Sequence, residues 1–192
     1  MENREKLLQF EETGHLKPGV HECTWEMLQK LAFTNSHRAD LGTKLLKFLR
    51  WPLRMGDFPH VYIGGGFISY SPFPQDIDLV LETRHAFGVK AFGAMEPFFS
   101  KGLDNILNVY AVDLHFWMEG APDSLADFRS FFQYQRSARA ERLDARKRGI
   151  VRLSLRLEDF PQLPDDEEQE EATVEQNTAN SIAGTLPWEA RI

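Results

Sequence analysis

Residues 61–81 read Val61-Tyr62-Ile63-Gly64-Gly65-Gly66-Phe67-Ile68-Ser69-Tyr70-Ser71-Pro72-Phe73-Pro74-Gln75-Asp76-Ile77-Asp78-Leu79-Val80-Leu81. An apolar run stopped by three glycines reads as a buried strand ending in a tight turn. A second strand follows at Ile77–Leu81, bracketed and interrupted by two carboxylates, Asp76 and Asp78. Residues i and i+2 of a strand share a face, so these carboxylates stand side by side, roughly 6–7 Å apart at Cα. Repulsion at that range asks for a cation between them. Mg²⁺ suits such a pair, because it is commonly held by one or two carboxylates with substrate phosphates completing its shell. Glycines, having no Cβ, let backbone N–H groups approach an anion closely, the usual way of holding phosphate.

Outward from this stretch, Thr24–Phe33 and Ser36–Arg50 each open on a Thr or Ser cap candidate. In the second, Leu41, Leu45, Leu46 and Leu49 recur at helical spacing, so both segments are expected to be helices packed on a sheet. Trp51–Pro59 reads as a loop broken by Pro and Gly. Downstream, the pattern predicts a helix around Ala91–Phe99, a strand across Val109–Phe116, a long helix between Ser124 and Lys147, and a strand across Ile150–Leu157. No internal repeat is present. This order of elements predicts an α+β fold, a mixed β-sheet with helices packed on one face. Within the third strand Asp113 is the only acid in the run Val109–Trp117. An ionised carboxylate in a core strand is costly unless it is paired or bound to metal, which makes Asp113 the candidate third ligand beside Asp76 and Asp78.

With 192 residues, 42% of them hydrophobic and 15 of them Phe, the chain has enough apolar surface for one packed domain, which excludes a wholly disordered protein. The lone Cys23 excludes a disulfide framework and fits a reducing compartment. No run approaches the roughly 20 apolar residues of a membrane span, and Met1-Glu2-Asn3-Arg4-Glu5-Lys6 lacks the basic-then-apolar order of a secretory signal, so a soluble cytoplasmic protein is expected. Charge is segregated along the sequence. Glu158–Ile192 holds ten acids against Arg191 alone, which leaves residues 1–157 at +2 out of the whole chain's −7. Such an acidic, apolar-poor segment reads as a disordered tail (158–192) following a domain over 1–157. Arg129–Arg156 carries nine Lys/Arg against Glu141 and Asp144, and Arg136, Arg139, Arg142 and Arg146 recur at spacings that would line one helix face.

The glycine turn, the Asp-x-Asp pair ten residues after Gly66, and the later strand bearing a single Asp resemble the nucleotidyltransferase superfamily of DNA polymerase beta. Within it, the match is to a group of small bacterial polymerase-beta-like nucleotidyltransferases. The early Gly14-His15-Leu16-Lys17-Pro18-Gly19-Val20-His21, the proline at Pro74, and the late Lys147-Arg148-Gly149-Ile150-Val151 support it. The resemblance spans residues 14–157. Gly66 stands where many members have Ser, which removes one hydroxyl contact and keeps the backbone donors. The resemblance implies a Mg²⁺-dependent transfer of a nucleoside monophosphate from an NTP to a hydroxyl. Asp76, Asp78 and Asp113 would be the catalytic residues and the ligands of two Mg²⁺ ions, with Gly65, Gly66 and Ser69 at the nucleotide. The acceptor would be a tRNA or RNA 3′ end, or a protein Tyr or Ser. The basic helix 136–148 or the acidic tail would meet RNA or a partner protein, in a setting such as a toxin–antitoxin or phage-defence pair.

Other motifs do not fit. A P-loop needs Gly-Lys-Ser/Thr, and Gly64-x-Gly66-x-x-Ser69 lacks the last glycine of a dinucleotide fingerprint. His115, two residues past Asp113, reads as a polar contact on the same strand face. Phe131, Phe132 and Tyr134 read as core rather than a base-stacking surface, and Cys23 as a small buried apolar residue. Two non-enzymatic readings stand beside the transferase. One is a regulatory subunit that senses nucleotide or binds a partner without catalysis, and the other is an acidic-tailed interaction protein.

Overall fold

The strand expected at Val61–Ile63 is β2 (His60–Ile63), and its partner across the glycine turn is β3 (Ile77–Glu82). These assignments come from a computed structural model, which describes residues 8–134 and 147–161. The two strands pair antiparallel, with Ile63 opposite Leu79. β4 (Val112–Trp117) then pairs parallel to β3, which requires a crossover, and two helices supply it: α3 (Val89–Lys101) and α4 (Leu103–Tyr110). The α4 helix takes the first residues of the strand expected from Val109. Ala111, at φ 54, turns the chain out of that helix, so pairing begins at Val112.

Two more strands complete the sheet. β1 (Gly19–Glu22), which the sequence pattern does not announce, pairs parallel with β5 (Gly149–Ser154). β5 in turn pairs antiparallel with β2, giving the order β1-β5-β2-β3-β4. The result is the expected mixed α+β sheet.

Alternation along the strands gives the sheet two different faces. Ile77, Leu79 and Leu81 of β3 share a face with Val112, Leu114 and Phe116 of β4, and this face meets the helices. Phe116 packs against Phe58, Phe98 and Phe99, and Phe48 of α2 (Ser36–Met55) packs against Phe98 and Tyr110. α1 (Trp25–Ala32) packs beside α2. The Thr24 side chain caps α1 by accepting from Met27 N. The α2 helix runs past the expected stop at Arg50. Pro52 lies within its last turns, buried with Leu49, and the helix ends where Gly56 adopts φ 71 and donates to Pro52 O.

Among the described residues the opposite face is only partly covered. Tyr62, Val80 and Ile150 form a small buried cluster with Phe132, against which Phe128 and Trp117 pack. Phe132 follows α5 (Phe128–Phe131), a short helix where a long one was expected from Ser124. The remainder of that expected helix, including Arg136, Arg139, Arg142 and Arg146, lies outside the described residues, as does the acidic segment from residue 162 onward. The chain stays packed on the fold slightly beyond residue 157, since Phe160 is buried against Trp25 with ring centroids 5.4 Å apart. Among the described residues no helix is long and apolar enough to cross a membrane.

Candidate functional site

Parallel pairing of β3 and β4 sets Asp78 directly opposite Asp113, on the face away from the main helix layer. Asp76 precedes β3 by one residue with the same parity, and Ile77 N, donating to Ala111 O at 2.8 Å, fixes the chain between the two acids. All three carboxylates line one cavity of about 250 Å³. Its other walls come from His15, Phe131, Phe132, Tyr134 and Arg148.

The glycine turn lies against this cavity's acids. Gly64 N donates to Asp78 O at 2.9 Å, and Gly65 adopts φ 71, where a Cβ would sit 1.8 Å from Asp78 Oδ2. Only glycine leaves room for that carboxylate. Gly66 opens the short 3₁₀ turn Gly66–Ile68 and faces Pro74, 3.2 Å from where its Cβ would be. Ser69 serves the loop. Its hydroxyl donates to Gly66 O and accepts from Ser71 N, the residue is buried, and it does not line the cavity.

The whole loop is anchored by a residue that the sequence reading passed over. Arg38 of α2 is 1% exposed, and its guanidinium donates to the carbonyls of Ala32, Gly66, Phe67 and Ser71. Burial lowers its pKa from the ordinary value, yet a guanidinium remains charged in proteins, so the carbonyl dipoles of the loop are what balance it. The signal was present in the spacing: Arg38, Leu41, Leu45, Leu49 and Pro52 fall on one buried stripe of α2.

Basic side chains face the acids. Arg148 Nη2 lies 4.0 Å from Asp78 Oδ2, while its Nε donates to Phe132 O and its backbone N to Gln133 O. His115 Nε2 lies 3.1 Å from Asp113 Oδ1, and its ring stacks on Phe128 at a centroid distance of 3.7 Å. The polar contact expected of His115 is therefore with Asp113 itself. Burial, followed by the positive charge of Arg148, holds the His15 pKa below its ordinary value against the opposing pull of Glu11.

His15 and Arg148 each adjoin a glycine that lets backbone come close. A Cβ on Gly14 would meet Tyr70 Cβ at 2.9 Å, and one on Gly149 would meet Lys17 O at 2.3 Å. Gly149 N donates to Leu16 O, which binds the two segments together at the rim. The aromatic residues divide. Phe132 is core, as expected, whereas Phe131 and Tyr134 are 47% and 43% exposed on the cavity wall. Cys23 is buried, as expected, and burial, with Glu22 adding, pushes its thiol up to about 12.

Among the described residues no three His, Cys, Asp or Glu side chains are grouped so that they alone would hold a metal ion. The donor set therefore does not make an all-protein cage. The three carboxylates offer hard oxygen donors, the ligand type that Mg²⁺ takes.

A family model matches residues 8–154. The chain belongs to DUF6932, a family of unknown function. Comparison with curated proteins and with solved structures gives no match. The span matched to DUF6932 takes in the glycine turn, the three aspartates, His15 and Arg148, so the cavity lies wholly within the family's own domain.

Proposed function

We propose that this DUF6932 domain is a nucleotidyltransferase of the polymerase-beta type, moving a nucleoside monophosphate from an NTP to a hydroxyl acceptor. The observation that carries the reading is the direct pairing of Asp78 with Asp113, with Asp76 on the wall of the same cavity and Gly65 against Asp78. Three acids on one small cavity repel one another, and cations reduce that cost. Asp76, Asp78 and Asp113 would hold Mg²⁺, which when bound neutralises phosphate charge and orients the reacting oxygens.

The chain's own residues do the remainder. The acceptor hydroxyl oxygen forms a bond to the α-phosphorus as the bond to the bridging oxygen breaks, and pyrophosphate leaves with that electron pair. Asp113 would accept the hydroxyl proton and pass it to solvent. Arg148 and His15 supply N–H donors to phosphate oxygens. The acids just before and on β3 and on β4 would face the reacting phosphate, and the basic side chains come from the segments joined at Leu16 and Gly149.

The test is incubation with labelled NTPs, Mg²⁺ and cell extract, followed by mass analysis of the labelled acceptor. RNA 3′ ends and protein Tyr or Ser are the acceptor classes to score, and a toxin–antitoxin or phage-defence partner would emerge as the labelled species. Label transfer that vanishes in Asp76→Asn/Asp78→Asn supports the enzyme. A second reading, a subunit that senses nucleotide without turnover, is favoured by one observation: Asp78 faces Arg148 and Asp113 faces His115, so two of the acids already have basic side chains of the protein opposite them. Nucleotide binding with no transfer to any acceptor would select that reading.

A further inference from the structure

We infer that Phe131 and Tyr134 are the stacking platform for the nucleobase of the ligand. The inference rests on the nucleotide reading of the cavity and adds which wall takes the base. Half-exposed aromatic rings on a cavity wall are surface that water covers poorly, and a planar base covers it well.

The platform is braced rather than loose. Phe132, between the two, is buried against Tyr62, Val80 and Ile150 and anchors the segment to the sheet. Phe131 meets Phe128 and Phe132 with centroids 5.9 Å apart in each case. Tyr134 forms a backbone bridge with Lys147, whose ammonium lies 6.0 Å from the tyrosine ring. Arg148 crosses beneath, bonded to the carbonyls of Phe132 and Gln133.

The cavity lining combines carboxylates, aromatic rings and the basic side chains of Arg148 and His15. A ligand with an oxyanion end and a planar aromatic end matches that combination. Stacking strength grows with ring area, so the platform favours purines over pyrimidines by a few-fold.

Calorimetric titration of the full chain with ATP, CTP and inorganic tripolyphosphate, each with Mg²⁺, tests this. The native protein is expected to bind ATP about tenfold or more tightly than tripolyphosphate, with CTP between. Phe131→Ala/Tyr134→Ala should bring ATP down to the tripolyphosphate affinity and leave tripolyphosphate unmoved. Tyr134→Phe should keep the ATP preference and Tyr134→Leu should lose most of it, at an unchanged melting temperature. Equal ATP affinity in native and doubly substituted protein, or equal losses for ATP and tripolyphosphate, would overturn the platform while leaving the nucleotide reading in place. A native protein that binds neither compound would overturn both.

Discussion

Replacing Arg38 by Met keeps the length and much of the apolar stem of a side chain that is 1% exposed, and removes the donors to four carbonyls. Hydrogen bonds from a charged donor contribute about 1.5–3 kcal/mol each, and the gross loss is offset because a guanidinium no longer has to be desolvated. Each buried carbonyl left without a donor costs about 1–3 kcal/mol, so the net loss should come to about 3–5 kcal/mol. In a domain of this size each kcal/mol is about 2–4 °C, so the melting temperature should fall by roughly 6–20 °C. The loss should be local as well. Backbone amides over 66–72 should exchange with deuterium faster in Arg38→Met than in the native protein, since the carbonyls of Gly66, Phe67 and Ser71 no longer share an anchor. Arg38→Lys keeps the charge but cannot span four carbonyls with one ammonium, and should fall between the two. Calorimetry and hydrogen exchange on the three proteins check this. A melting temperature for Arg38→Met within about 2 °C of native, with unchanged exchange over 66–72, would refute the idea that this side chain holds the loop.

Three further outcomes follow from the geometry. Gly65→Ala combines a left-handed backbone, costing about 1–2 kcal/mol, with displacement of the Asp78 carboxylate. It should melt several degrees lower than Gly66→Ala, whose new methyl comes no closer than 3.2 Å, to Pro74, and the reverse order in calorimetry would contradict the packing. His15 has its pKa lowered on folding, so the neutral form is the one the fold favours. The stability this contributes is present above the unfolded pKa of about 6.5 and is lost as pH falls below it through the folded value. Between pH 7.5 and 5 the native protein should therefore lose more melting temperature than His15→Gln, and parallel curves would remove His15 from the account. Cys23, buried and with its thiol pushed up to about 12, should react with a thiol reagent at pH 8 more than tenfold slower in the folded protein than in denaturant. Equal rates would show that the thiol is accessible.

The glycine turn and β3 were legible because both signals are local: three glycines end one apolar run, and two acids frame the start of the next. Asp113 was legible for a related reason, as a lone charge inside an apolar strand. What the sequence hid is what depends on distant partners. β1 is only Gly19–Glu22, and its strand character comes from pairing with β5. Its half-exposed, polar composition carries no alternation to read. The α2 helix continued past Pro52 because burial of Leu49 and Pro52 outweighs the missing N–H. Arg38 showed the right periodicity and the wrong polarity, and only the folded loop supplies the carbonyls that reconcile the two. Phe131, Phe132 and Tyr134 look alike in sequence and all reach the cavity, yet Phe132 is buried in the core while Phe131 and Tyr134 stay half-exposed, a distinction fixed by the path of the chain after α5.

The place of β5 in the sheet has a consequence for biosynthesis. This strand is the bridge between β1, whose paired residues lie about 130 positions earlier, and the β2-β3-β4 half. Until it leaves the ribosome, the nascent chain holds a lone N-terminal strand and an unsatisfied outer edge on β2, both open to association with other chains. Translation that stalls before Gly149 would yield no smaller working domain, only a half-sheet with open edges.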